Sequence, residues 1–322
     1  MVPLSDSFLG GSAPRLRFLG LDRIPYLGLP KLLLSATHLV YLHLWNIPHS
    51  GYISPEVMVT ALSTLTSLGS LTIVFQSPRS HPDPASRRPP PPTRAVLPVL
   101  THFWFKGVPE YLDDLVARID APQVNLFIAF FNQIVFDTPQ FVQFIRRTSR
   151  LQAPETARLV FGTDATRVEF SSQTPSDRSL EVGVSCREFD RQVSSLEQLC
   201  NSCLPPFSTL EDLYIYEVPL FPTRWGDNTE NTLWQELLHP FTSVKNLYLS
   251  GLYASRIVPA LREPVGERTT GVLPALQNIF LEDLQPSEPI QEGIGKLVTA
   301  RQLSSHPIAI SLWDRGSERK RG

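Results

Sequence analysis

Residues 210–216 read LEDLYIY, residues 244–249 read VKNLYL and residues 276–281 read LQNIFL. Aligned, they share one pattern: apolar, two variable positions, apolar, one variable position, apolar. Successive side chains of a strand point to opposite faces, so the apolar positions read as the inward face of a short strand. One such unit cannot bury its own face, whereas stacked copies can.

The pattern recurs outward from these stretches. It stands at Leu16, Leu19, Leu21; at Leu39, Leu42, Leu44; at Leu68, Leu71, Ile73; and at Leu100, Phe103, Phe105. First anchors follow one another at roughly 23 to 34 residues, at and above the leucine-rich-repeat range of about 20 to 29. This predicts an α/β chain: an irregular leucine-rich-repeat solenoid, a horseshoe with short parallel strands on its concave face and helices and loops on its convex face. Helical returns are expected at 55–65, 111–119, 139–147, 196–203, 231–238, 254–261 and 290–303. Ser54 before Pro55 and Thr138 before Pro139 carry the signature of a cap followed by the first helical residue.

Between Pro122 and Val184 the register blurs. Leu126, Ile128 and Phe130 alternate, but their upstream anchor is missing. Residues 158–161 and 167–170 read as another strand or a hairpin, and 180–184 as one more strand, their order undetermined. The repeat array is expected over 1–314, with 77–95 as a proline-rich insertion and 315–322 as a charged tail. A further strand is expected at Ile308, Ile310 and Leu312. The residues before Leu16 are too few for a capping domain, which predicts a partial architecture.

Composition narrows the function classes. Of 322 residues 42% are hydrophobic, enough for a continuous core, and the net charge of -2 offers no global basic field for nucleic acid or an anionic membrane. Three cysteines are too few for a disulfide framework. With neither a signal peptide nor a membrane-length apolar run, the expected location is cytoplasmic or nuclear. Thirty prolines punctuate the chain and mark the boundaries of many short elements.

Several stretches carry a resemblance to a known family. They are residues 29–34, 49–56 (HSGYISPE), 76–79 (QSPR), 89–107, 117–122 (ARIDAP), 136–140 (FDTPQ), 194–198 (SSLEQ), 238–241 (LHPF) and 301–307 (RQLSSHP). The chain resembles the leucine-rich-repeat region of the F-box-like proteins of mushroom-forming fungi. That resemblance implies a substrate-recognition module of a ubiquitin-ligase receptor, preceded in complete members by an F-box-like helix that docks a cullin-ligase adaptor. No such helix precedes Leu16 in this sequence, so adaptor binding is expected only if an F-box lies elsewhere. The competing expectation is a degenerate or truncated fragment without a specific ligand.

If the anchors point inward, the residues between them form the binding ribbon. These are Tyr41, His43 and Trp45; Ser70 and Thr72; His102, Trp104 and Lys106; Asp212, Tyr214 and Tyr216; Asn246 and Tyr248; and Asn278, Phe280 and Glu282. Tyrosine and tryptophan are enriched in interface hot spots, which favours a protein partner. Such residues also fit strands and stack across neighbours without any ligand, so exposure decides between the two readings.

No motif points to catalysis, a metal or a cofactor. Cys200 and Cys203 have the spacing of a zinc or redox pair but lack a second pair, and half-buried thiols are the plainer reading. Residues 293–296 (GIGK) lack the serine or threonine and the glycine spacing of a phosphate loop and are read as the start of a helix. There is no Gly-x-Ser-x-Gly elbow. Pro89, Pro92 and Arg94 fit a polyproline ligand motif, and Arg319, Lys320 and Arg321 a basic signal; both are common by chance.

Overall fold

Seven times among the described residues, the first apolar anchor closes a turn on the carbonyl three residues before it. Leu16, Leu39, Leu68, Leu100, Val124, Val244 and Leu276 donate their N–H to Ala13, Ala36, Leu65, Leu97, Ala121, Phe241 and Leu273, at 2.9–3.4 Å. A strand follows each turn. The computed structural model describes residues 8–78, 93–131, 136–172, 178–205, 208–218, 231–261, 272–282, 288–303 and 307–313. It is a mixed α/β structure that divides into two units, Met1–Gln152 and Ala153–Gly322.

The first unit contains β1 (Phe18–Asp22), α1 (Leu29–Ser35), β2 (Tyr41–Ile47), α2 (Pro55–Leu62), β3 (Ser70–Phe75), β4 (Ala95–Val96), β5 (His102–Gly107), α3 (Pro109–Val116), β6 (Ile119–Asp120), β7 (Asn125–Phe130) and α4 (Pro139–Arg147). Strands β1, β2, β3, β5 and β7 pair in that order, all parallel. The pairing aligns the inward side chains in two rows: Leu19, Leu42, Leu71, Phe103, Leu126, and Leu21, Leu44, Ile73, Phe105, Ile128. Helices α1 to α4 pack consecutively. Both rows are buried. The short strands β4 and β6 pair with each other in a separate sheet.

The second unit contains β8 (Thr156–Phe161), β9 (Thr166–Ser171), β10 (Arg178–Val184), α5 (Phe189–Gln198, continued by a π turn at Leu199–Cys203), β11 (Asp212–Glu217), α6 (Asn231–Leu238), β12 (Asn246–Leu249), α7 (Gly251–Ala260), β13 (Asn278–Glu282), α8 (Glu288–Leu303) and β14 (Ala309–Trp313). Its strand order is β10-β9-β8-β11-β12-β13-β14. From β8 through β11 to β14 the strands are parallel, with Ala157, Leu213, Leu247, Ile279 and Ile310 in one inward row.

The expected short parallel strands are interrupted here: β8, β9 and β10 form an antiparallel meander, so of the two readings of 158–170 the hairpin is the one observed. The chain between these strands is too short for a crossover helix, so they connect by hairpins. Where β9 and β10 meet, a Cβ on Gly183 would lie 2.8 Å from both the Thr166 carbonyl oxygen and the Arg167 Cβ, so no larger residue fits without a backbone shift. The missing anchor before Leu126 is Val124, which is fully buried and closes the usual turn. One residue fewer separates it from its strand than in the other units, which hid it from the repeat spacing.

The helices depart from expectation at their starts. Helix α1 was not among the expected returns, α3 begins at Pro109 and α5 at Phe189. Proline opens α1, α2, α3 and α4 at a first-turn position, where its missing N–H costs nothing. Ser54 caps α2 as expected, its hydroxyl accepting from the Val57 N–H at 3.4 Å. Thr138 does not cap α4. Its hydroxyl is buried without a partner among the described residues, and the Phe141 N–H is satisfied instead by the Asp113 carboxylate of α3 at 2.9 Å. Residues 293–296 lie inside α8 rather than at its start, so no helix N-terminus faces a phosphate there. Residues 79–92, including Pro89 and Pro92, and the tail from 314 lie outside the described residues.

An N–H cap from a side chain is worth about 0.5–2 kcal/mol. Asp113→Ala should therefore lower unfolding free energy by about 1–2 kcal/mol, and Thr138→Ala by less than about 0.5 kcal/mol, in urea denaturation. Equal losses would return the capping role to Thr138.

Candidate functional site

Side chains between the inward rows emerge on the opposite face of each sheet. In the first unit they form three rows. One holds Phe18, Tyr41, Ser70, His102 and Asn125; the next holds Gly20, His43, Thr72, Trp104 and Phe127. A third row is broken between β2 and β3: Asp22 lies beside Trp45, and Val74, Lys106 and Ala129 lie side by side. Phe18, Tyr41 and Trp104 are 58%, 47% and 47% exposed, whereas isolated surface rings of that size would normally bury more. This face is an open aromatic surface.

The rings hold one another in place. Phe18, Tyr41 and His43 form a triangle with centroids 5.6–6.3 Å apart. Trp45 meets Trp104 edge-on at 5.7 Å, and Trp104 stacks on Phe127 at 6.1 Å. Aromatic pairs in such geometry add about 0.5–1.5 kcal/mol beyond burial, so they keep their orientation without a ligand. Beneath them Thr72 and Val74 are only 5% exposed. His43 Nε2 lies 3.2 Å from the Ser70 hydroxyl, and Lys106 Nζ sits 5.6 Å from the Phe131 ring centre.

Strand β2 is bent where it supplies Trp45. Its register with β3 shifts between Leu44 and Ile47, and Asn46 takes a left-handed backbone conformation with φ 51°. Asparagine tolerates that conformation, and a bulge there re-aims the flanking side chains. The Asn46 amide donates to Asp22 Oδ1 at 2.8 Å, while the Arg23 N–H donates to the Trp45 carbonyl at 2.9 Å. Trp45 is thereby tilted across β3 toward Trp104.

The second unit treats the same pattern differently. Tyr214 is 8% exposed rather than open to a partner, and Tyr248 and Phe280 are half-buried. Their rings stack almost face to face, Tyr214 on Tyr248 at 4.1 Å and Tyr248 on Phe280 at 4.5 Å. Trp313 stands edge-on over the first two at 5.5 and 5.4 Å. The Arg158 guanidinium lies 5.2 Å from the Tyr214 ring centre and donates to the Ser171 hydroxyl at 3.0 Å. Tyr216, opposite Val160, is half-buried. Here the aromatics pack against their own chain.

Around that stack the polar side chains are also paired. The Asn278 amide donates to Asn246 Oδ1 and the Asn246 amide to Asp212 Oδ1, both at 2.7 Å, which makes a ladder across β13, β12 and β11. The buried Glu169 carboxylate accepts from Arg167 at 2.7 Å and Arg178 at 3.3 Å, and Glu181 lies within 3.4 Å of both arginines. Burial raises the Glu181 carboxyl above its ordinary range, opposed by Arg167.

Sequence reasoning missed Phe18 and Phe127 on the open face. Both alternate with inward anchors, Phe18 just before Leu19 and Phe127 between Leu126 and Ile128, so the period-two signal was present.

Candidate chemistry finds little support among the described residues. Cys186, Cys200 and Cys203 are buried and form no disulfide, and burial pushes the Cys200 thiol up, away from the reactive thiolate. No group of three or more metal-ligating side chains occurs among the described residues, and no described helix is long and apolar enough to cross a membrane. No protein-family model and no curated protein matches the chain.

Burial raises the Asp212 carboxyl above the ordinary carboxylate range, opposed by the Asn246 hydrogen bond. A raised folded-state pKa gives stability that is present below the unfolded value of about 3.9 and lost as pH rises through the folded value. Asp212→Asn keeps an acceptor for Asn246 and removes that loss. Urea denaturation of both proteins should show the variant gaining on the wild type between pH 4 and pH 7; a variant that falls behind would reverse the sign assigned to Asp212.

Proposed function

We propose that the chain is a protein-binding module whose contact surface is the outward face of β1, β2, β3, β5 and β7. The single observation that carries this reading is the set of half-exposed rings, Phe18, Tyr41 and Trp104, fixed on a rigid sheet. Covering a large ring contributes about 1.5–3 kcal/mol, and such rings dominate protein contacts while costing little side-chain entropy. The strand–turn–helix succession and the shared inward rows support the finer reading of an irregular leucine-rich-repeat solenoid. The motifs resembling F-box-like repeat regions support a narrower role, the substrate-recognition region of a ubiquitin-ligase receptor. In that role the chain holds a partner and contributes no chemistry. Contact with a cullin-ligase adaptor depends on an F-box-like helix and is assigned to no residue described here.

The closed stack in the second unit supports a structural role for Tyr214, Tyr248 and Phe280. It separates the two units in function: one displays its aromatic residues and the other uses them to brace its sheet.

The discriminating experiment is affinity capture from native cells with the wild type, with Tyr41→Ala combined with Trp104→Ala, and with Tyr248→Ala. The two rings are half exposed but make four ring pairs, so the double variant should melt several degrees below the wild type and is used only once circular dichroism shows it folded. It should lose at least one partner that the wild type and Tyr248→Ala retain. Identical partner sets for the wild type and a folded double variant would remove the open face as the binding surface.

A further inference from the structure

The strand that ends the second unit's sheet is the least covered in it. β14 pairs with β13 on one side and, among the described residues, with nothing on the other. The Ala309 N–H donates to the Gln277 carbonyl at 2.8 Å, and the backbone groups of successive strand residues alternate in direction. Ala309, Ser311 and Trp313 therefore direct theirs to β13, while Ile310 and Leu312 turn theirs to the free edge. The same two residues carry the inward side chains, opposite Ile279 and Leu281. Their counterparts on β11, β12 and β13 are buried, but Ile310 is half-buried and Leu312 is 76% exposed.

The residues of this edge do not discourage pairing. Residues 308–313 read IAISLW, without a charged residue or a proline, the devices that usually guard an exposed edge strand; Pro307 stands just outside. Residues 314–322 (DRGSERKRG) contain no aliphatic or aromatic side chain to lay over Ile310 and Leu312. What covers them has to bring both a strand edge and apolar side chains. Strand β1, first in the strand order, is a poor match: its Leu19 and Leu21 are already buried, and Arg17, Asp22 and Arg23 stand at its ends. A second β14 brings both.

We propose that two copies of the chain join through β14, antiparallel about a two-fold axis, so that the sheet of one copy runs on into that of the other. The contact is independent of the open aromatic face and goes beyond the reading given above. Centred on Ile310, the pairing sets that residue against Ile310 of the second copy, each exchanging both backbone bonds, and sets Leu312 against Ile308 of the second copy. A two-fold axis perpendicular to the sheet keeps the inward side chains on one face, so two incomplete cores close on each other. Such an isologous contact stops at two copies, whereas head-to-tail pairing would go on to a filament. One strand pair buries little area, which suits a reversible dimer.

The test is sedimentation velocity on the full chain over a concentration series, joined to hydrogen exchange on the same samples. The mass should rise with concentration toward twice 36.2 kDa. The amides of Ile310 and Leu312 should exchange at least about tenfold more slowly in the dimer than in the monomer. Leu312→Lys, at an exposed position, should stay folded by circular dichroism and raise the dimer Kd at least about tenfold. Leu312→Pro should do the same, because the N–H it removes faces the free edge. A wild type that stays monomeric at about 100 µM would overturn the proposal. So would a dimer in which residues 308–313 exchange at the monomer rate, or one that is lost in Tyr41→Ala with Trp104→Ala yet kept in Leu312→Lys.

Discussion

One backbone carbonyl per repeat joins each unit to the next. The Val40 carbonyl accepts the N–H groups of Gly69 and Ser70, and the Gly69 carbonyl those of Thr101 and His102. Glu211 accepts from Lys245 and Asn246, and Lys245 from Gln277 and Asn278. Each shared acceptor fixes where the next strand begins and hence its register. Register in turn decides which side chains face inward, because a one-residue slip would exchange the two faces. The buried leucine rows, the open aromatic face and the closed stack all follow from that alignment. The Thr101 carbonyl accepts a single N–H, from Asn125, where one residue is missing from the turn.

Much of this was legible in the residues. Period two identified the strands, and the apolar anchors identified the inward rows, because burial of Leu42, Leu71 or Leu247 depends on side-chain character alone. Antiparallel pairing was legible only as one option, a hairpin over 158–170, and not for β10, since alternation reports faces and not direction. The capping of α4 by Asp113 was equally hidden. It depends on a side chain 28 residues upstream, while the local signal favoured Thr138. The start of α5 was missed because its first turns carry more polar than apolar residues.

The candidate site shows a different limit. Trp104 and Tyr214 occupy the same place in the repeat pattern, and their surroundings send them to opposite fates. Trp104 has small neighbours on β3 and stays half exposed. Tyr214 has Tyr248 beside it, Arg158 on its other side and Trp313 above. Sequence periodicity assigns a face; the identity of the residues on neighbouring strands assigns the exposure.

The shared carbonyls leave the connecting segments almost unconstrained in length, because nothing in the ladder measures how far the chain travels before it returns. The strand register holds across spacings that differ by roughly half from one repeat to the next, consistent with the weak dependence of loop entropy on length. Insertions and deletions in a gene of this design can accumulate in the returns without erasing the array, so lineages can drift in length and wording while retaining the same sheet. Relatedness in such a chain is better traced through anchors and their register than through aligned letters.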